Sequence, residues 1–256
     1  YVIDDLKTHE TGSFEWLWHP NGEAKKSGID LNITNGESSV VIRPLYPQLL
    51  AKSDFVHDYP DDLYWEVVET PTEDLKGKDS YYSFHLPGKF DRIKGVTAII
   101  LKDSPQDKDL PEMERIDGKD WIGLRIKNKG KVTDLYINQL ADGRLMHNNS
   151  WIEADGWTTD AYMFAVTYKE GTAPAASKDI FVSYGSALRR GNDTYFSSLS
   201  KLFYIQNEVN GAVKLLIEGQ PKVNASFGQS NRPKSLLVNG KQMPVNYKGG
   251  ILKVKY

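Results

Sequence analysis

The sequence predicts an all-β protein: a large antiparallel β-sandwich with little helix. Three observations predict it. Apolar residues recur mostly with period two, the repeat of a strand with one face buried. The chain is rich in aromatic residues (14 Tyr, 9 Phe, 6 Trp), which suit a pleated, half-buried surface. Turn pairs such as Asn21-Gly22, Asn35-Gly36, Pro87-Gly88, Asp117-Gly118, Asp142-Gly143, Asn210-Gly211 and Asn239-Gly240 separate the apolar runs, as hairpin connections require. No segment carries a helical stripe longer than a turn or two.

In chain order, Tyr1-Val2-Ile3-Asp4-Asp5 reads as a strand already in progress, so Tyr1 is expected to lie inside a longer chain. Phe14-Glu15-Trp16-Leu17-Trp18-His19 follows as an aromatic strand, ended by Pro20. Strands are expected at 40–45, 63–68, 81–86, 95–101, 121–126, 133–137, 162–168, 180–184, 214–218, 235–238 and 250–254. Residues 103–116 are polar and proline-punctuated, which predicts a surface loop. Near 171–178, Gly-Thr-Ala-Pro-Ala-Ala-Ser-Lys reads as a second loop. No linker composition divides the chain. The expectation is one sandwich over 1–256, with the last strands (about 207–256) as an outer layer.

Composition narrows the function. The 256 residues hold 32 Lys+Arg against 34 Asp+Glu, a net charge of −2, so no overall field argues for nucleic acid or an anionic membrane. No apolar run approaches the roughly 18–20 residues of a membrane span. The absence of cysteine removes disulfides, thiolate metal sites and cysteine nucleophiles together. Neither a serine-nucleophile elbow nor a phosphate-cradling glycine loop is present.

Five histidines remain. His9 lies in a polar turn and His147 near a strand end. His85 alternates with Tyr81 and Ser83, on the face opposite Tyr82 and Phe84. His19 shares its face with Leu17 and Glu15, with Trp16 and Trp18 opposite. Asp30 and His57 follow downstream. Two imidazoles and a carboxylate are a usual zinc inventory, and strands about 4.8 Å apart can bring separated ligands together. Trp65 and Trp121 are expected in the core. Trp151 and Trp157 flank the polar loop Glu153-Ala154-Asp155-Gly156 and are candidate sugar platforms. Arg43, Arg125, Arg144, Arg189 and Arg190 could meet acidic groups by paired hydrogen bonds.

The opening YVIDDLKTHETGSFEWLWHP resembles the start of the β-sandwich in heparinase II/III-like polysaccharide lyases, where a strand leads through a polar turn into an aromatic strand ending in histidine. Ile29-Asp30-Leu31-Asn32-Ile33-Thr34-Asn35-Gly36 with Val41-Ile42-Arg43-Pro44-Leu45-Tyr46-Pro47 is similar to that family's next hairpin, and Pro233–Lys241 to its terminal strands. The resemblance covers both ends of the chain and is best over residues 1–60.

It implies an N-terminal helical (α/α) toroid in the parent protein, secretion or a periplasmic location, and an acidic polysaccharide such as a glycosaminoglycan as partner. It implies a structural zinc held by His19, Asp30 and His57, with His85 a rival for the third place. It also implies that Tyr46 reaches the substrate cleft, although an edge tyrosine packed between prolines is an equal reading. Trp151, Trp157 and Arg144 are the candidate substrate contacts. The reaction implied is β-elimination at a uronate, with the chain alone inactive because its main catalytic groups would lie on the toroid. The alternative is a non-catalytic carbohydrate-binding or adhesin-like sandwich.

Overall fold

A computed structural model describes residues 1–46, 64–71, 78–141, 151–219 and 222–256. The chain is all-β, 71% strand and about 1% helical. It divides into two compact units, Tyr1–Leu110 and Pro111–Tyr256. The boundary falls inside the proline-punctuated segment that the sequence marks as a loop.

The first unit is a six-stranded antiparallel sheet. Its strands are β1 (Val2–Trp18), β2 (Glu23–Ser27), β3 (Asp30–Asn35), β4 (Ser38–Tyr46), β5 (Tyr64–Pro71) and β6 (Lys78–Lys102). The 25-residue β6 is the spine. β1 pairs along one edge, from Val2 opposite Thr97 to Trp18 opposite Tyr82. The other edge is shared: β4 pairs with 96–102 and β5 with 78–85. Alternation buries Phe14, Phe84, Leu86, Ile93 and Val96 at 9% exposure or less, each burial contributing about 1.5–3 kcal/mol. Gly95 leaves the space that the Trp16 ring fills, since a Cβ there would lie 2.7 Å from that ring.

Two strands were expected where β6 is one. Pro87-Gly88 does not turn the chain, because β1 and β6 slip register beside it: Phe14 faces Leu86 while Gly12 faces Phe90. The extra residues on β6 are taken up as a bulge, which is where a strand tolerates proline.

The second unit is a 14-stranded sheet, antiparallel except where β15 and β17 run parallel. It begins with β7 (Glu112–Asp117), β8 (Trp121–Asn128), β9 (Lys131–Asn138), β10 (Ile152–Ala154), β11 (Trp157–Thr159) and β12 (Met163–Lys169). After a single 3-10 turn at Pro174–Ala176 come β13 (Asp179–Arg190), β14 (Asp193–Val209), β15 (Ala212–Glu218), β16 (Asn224–Gly228), β17 (Ser235–Val238), β18 (Lys241–Met243), β19 (Asn246–Lys248) and β20 (Ile251–Lys255). The main order is β18-β17-β15-β14-β13-β12-β9-β8-β7, with β16, β20 and β19 continuing from β14 and β11 and β10 from β13.

Within the segment expected as a loop over 103–116, Glu112–Asp117 is an edge strand; its alternating exposure is too polar to read as a strand from sequence. At the β14–β15 and β17–β18 hairpins, Asn210-Gly211 and Asn239-Gly240 both have positive φ at each residue, the signature of a tight two-residue turn. The Asn239 amide also bonds both backbone groups of Ile217.

Two long strands, β13 and β14, bend where they are bulged. The register shifts on either side of Gly185, and Tyr184 takes φ +51°. Asp160 holds the bulge, accepting from the Ser186 and Ala187 amides at 2.7 and 3.1 Å and from the Ser186 hydroxyl at 2.7 Å. The core beneath is aromatic: Tyr136 stacks on Phe164 at 4.6 Å, and Phe196 lies 4.4 Å from Tyr204. Among the described residues no helix is long and apolar enough to cross a membrane.

Candidate functional site

The strongest grouping of acid–base side chains in the first unit lies on one face of the β1–β6 pair. Phe14, Trp16 and Trp18 turn to the core side, so Glu15, Leu17 and His19 turn the other way. Opposite them on β6, Ser83 faces Leu17 and His85 faces Glu15, and Tyr81 is the next position toward His19. The result is a row across two strands. The His19 and Tyr81 rings are 5.3 Å apart. Ser83 donates to Glu15 Oε2 at 3.0 Å, and His85 Nδ1 lies 3.6 Å from Glu15 Oε1. His19 is exposed, and Tyr81 and His85 are half-buried. Both faces assigned from sequence alternation hold; that the two triplets share one face follows only from strand pairing.

Asp30, at the start of β3, is engaged by Arg43 of β4. Arg43 Nε donates to Oδ1 at 2.8 Å and Nη2 to Oδ2 at 2.7 Å. This bidentate hydrogen bond, more than the opposing burial, raises the guanidinium pKa further. As a zinc ligand, Asp30 keeps about two of its four lone-pair sites, and the neighbouring positive charge opposes a cation there. His57 lies outside the described residues, and among those described no three histidine or acidic side chains gather as a metal group. His85, the rival for the third place, lies further along β6 than the residue beside His19. Four residues of strand separate it from Tyr81, about 13 Å along β6.

Tyr46 is 1% exposed; a phenol so enclosed reaches no polysaccharide unless its surroundings move. Arg144 and His147 lie outside the described residues, and Trp65 is described by its backbone alone. Trp121 is in the core as expected.

In the second unit, the two candidate platforms part company. Trp151 is 50% exposed, with the Arg189 guanidinium 5.9 Å from its ring. Trp157 is 0% exposed and corrects the expectation of a platform. The Arg190 guanidinium lies over its ring at 5.0 Å, and Tyr195 and Phe164 meet it edge-on. Arg125 is likewise spoken for. It forks onto the fully buried Asp134 at 2.8 and 3.0 Å, and Tyr168 donates to the same carboxylate at 2.8 Å. Burial, then the Asp134 hydrogen bond, pushes the Tyr168 phenol up to about 12. Tyr136, which donates to Asp155 at 3.1 Å, is raised further still, chiefly by burial.

The chain matches no protein-family model and no curated protein.

Proposed function

We propose that this chain is the β-sandwich portion of a heparinase II/III-like polysaccharide lyase, supplying one wall of the cleft that holds a uronate-containing polymer. The observation that carries the reading is the row on the β1–β6 face. It sets an exposed imidazole against a phenol at 5.3 Å, with a second imidazole beside a carboxylate at 3.6 Å. The reading draws also on the aromatic strand β1, which His19 follows, and on the β3–β4 hairpin.

β-Elimination needs a base for the C5 proton, neutralisation of the uronate carboxylate and an acid for the departing glycosidic oxygen. On this reading His19 and Tyr81 contact the sugar from the sandwich side, through N–H and O–H groups that can donate to hydroxyl or carboxylate oxygen. The remaining acid–base groups come from the helical toroid of the parent protein, which acts outside the cytoplasm. The zinc belongs to the same proposal. His19, Asp30 and His57 would hold it, Arg43 would orient the carboxylate, and the ion would brace the sheet.

The test is the full-length protein on a panel of heparan, chondroitin, alginate and related uronate polymers, following the ultraviolet absorbance of the new unsaturated ring. The wild type is expected to produce it. His19→Ala and Tyr81→Phe should each lower kcat/KM by about tenfold, the worth of one contact to a charged or polar group. No unsaturated product from any polymer would remove the lyase reading. Metal analysis of the purified protein, with one zinc expected and none in His19→Ala, checks the ion separately.

The second reading, a carbohydrate-binding sandwich without chemistry, is favoured by the burial of Tyr46. It predicts polymer binding by the full-length protein with no unsaturated product.

A further inference from the structure

The sequence holds four Asn-Gly pairs: Asn21-Gly22, Asn35-Gly36, Asn210-Gly211 and Asn239-Gly240. Asparagine in such a pair is chemically labile. Glycine has no side chain to crowd its backbone nitrogen, which can therefore reach the carboxamide carbon of the asparagine before it. That approach needs the asparagine side chain and the Asn–Gly peptide group both free to rotate. The fold restrains the four pairs unequally.

Two of them form a matched comparison. Asn210-Gly211 turns the β14–β15 hairpin between Val209 and Ala212, and Asn239-Gly240 turns the β17–β18 hairpin between Val238 and Lys241. Both asparagines follow a valine. φ is +53° and +80° in the first pair and +50° and +78° in the second, so the backbone turn is the same. The side chains differ. Asn239 Oδ1 accepts from the Ile217 N–H at 2.8 Å, and its Nδ2 donates to the Ile217 carbonyl at 2.9 Å. Asn210 is exposed, and its carboxamide makes no hydrogen bond among the described residues.

The other two pairs are restrained as well. Asn35 Nδ2 donates to the Asn21 carbonyl at 2.9 Å, which ties the side chain of one pair and the peptide group of the other. Gly22 also sits tightly on Thr34, whose carbonyl a Cβ would meet at 2.4 Å. At Asn210-Gly211 the Lys234 N–H donates to the Gly211 carbonyl at 2.8 Å. That bond falls on the following peptide group and leaves the reacting one to turn.

We infer that Asn210 is a site of spontaneous modification, its amide lost through a cyclic imide with Gly211, and that its bonds to Ile217 protect Asn239. The Gly211 nitrogen bonds to Asn210 Cγ, the Cγ–Nδ2 bond breaks, and Nδ2 leaves as ammonia with the proton that Gly211 gives up. Water then opens the imide. Cleavage at Cγ leaves aspartate; cleavage at the backbone carbonyl leaves isoaspartate, whose main chain runs through Cγ and is longer by a carbon. Either product places a new negative charge near Lys234, whose side chain lies over Gly211. The longer product no longer fits a two-residue turn. The inference is independent of the lyase reading, since none of its residues lies on the β1–β6 face.

The experiment follows the purified protein in mildly alkaline buffer, folded in one sample and unfolded in guanidinium in another, by peptide mass mapping over time. An isoaspartyl methyltransferase with a labelled methyl donor marks the isoaspartate. In the folded sample the amide-to-acid mass gain is expected at Asn210 at least about tenfold faster than at Asn239, because freeing Asn239 breaks two hydrogen bonds. In guanidinium, where only the shared Val-Asn-Gly sequence acts, the two should convert at closely similar rates. Equal rates in the folded sample, Asn239 leading, or no gain at Asn210 while the unfolded sample converts would each overturn the assignment. So would a gap that persists in guanidinium, since local sequence and not the fold would then set it.

Discussion

Two polar groupings, one in each unit, use the same side chains to opposite ends. In the second unit Arg125, Asp134, Tyr136, Asp155 and Tyr168 sit on β8, β9, β12 and the turn after β10. Asp134, with 0% exposure, is answered three times at 2.8–3.0 Å. In the first unit, Glu15, His19, Tyr81 and His85 lie on an equally regular antiparallel pair. There Ser83 donates to Glu15 at 3.0 Å, His85 approaches Glu15 at 3.6 Å and the His19 and Tyr81 rings are 5.3 Å apart, with His19 exposed and Tyr81 and His85 half-buried. A closed network with short bonds and a buried centre stabilises its own sheet. The first-unit row ends in an exposed imidazole, His19, which can turn its donor and acceptor outward. Phenols, carboxylates and cations do not by themselves mark a site; how completely they answer one another does.

That contrast can be broken most forcefully in the second unit. Trp157→Ala empties a fully buried position among Phe164 and Tyr195. It should cost about 3–5 kcal/mol in urea denaturation followed by circular dichroism. A loss under 1 kcal/mol would mean that the ring is not core. Asp134→Ala strands the Arg125 guanidinium and the Tyr168 hydroxyl, and should cost about 3 kcal/mol by the same measurement.

Alkali sharpens the comparison further. The Tyr136, Tyr168 and Tyr204 phenols all titrate above their ordinary value of 10 in the folded chain, Tyr204 and Tyr136 chiefly through burial and Tyr168 at about 12. Below about pH 10 they are protonated whether folded or not, and their contribution is fully present. Above that, the unfolded chain sheds protons that the folded chain keeps, so stability should fall as pH rises from about 10 toward 12. The part of the phenolate absorbance that is lost when these three are replaced by phenylalanine should therefore appear with the unfolding transition and not before it. The smallest effect belongs to the first-unit row: His85→Gln, at a half-buried position 3.6 Å from Glu15, should change stability by less than about 1 kcal/mol, the range of such pairs. A larger loss would make the row structural.

Most strands were legible because their apolar residues alternate over a core face, as in Leu215-Leu216-Ile217 and Ile251-Leu252-Lys253-Val254. β14 escaped for a physical reason. Ser197, Ser198 and Ser200 interrupt its alternation where the strand bends, so neither half reads as part of a 17-residue strand. Pro87-Gly88 misled in the other direction, since a bulge absorbs what local chemistry marks as a turn. For the candidate site, period two put His19 with Glu15 and His85 with Tyr81. It could not reveal that Glu15 faces His85 across the sheet, because pairing joins residues 70 positions apart. Trp157 illustrates the remaining gap. A tryptophan beside a polar loop reads as a platform until the fold shows Arg190, Tyr195 and Phe164 against its ring.

The central proposal, that the β1–β6 row faces a ligand while Trp157 of the second unit is closed, is tested most directly by NMR. Imidazole signals of His19 and His85 and the indole signal of Trp157 would be followed while heparan or alginate oligosaccharides are added to the full-length protein. The account predicts that both imidazole signals move saturably and that the Trp157 indole stays in place. A moving Trp157 signal with stationary His19 and His85 would contradict it.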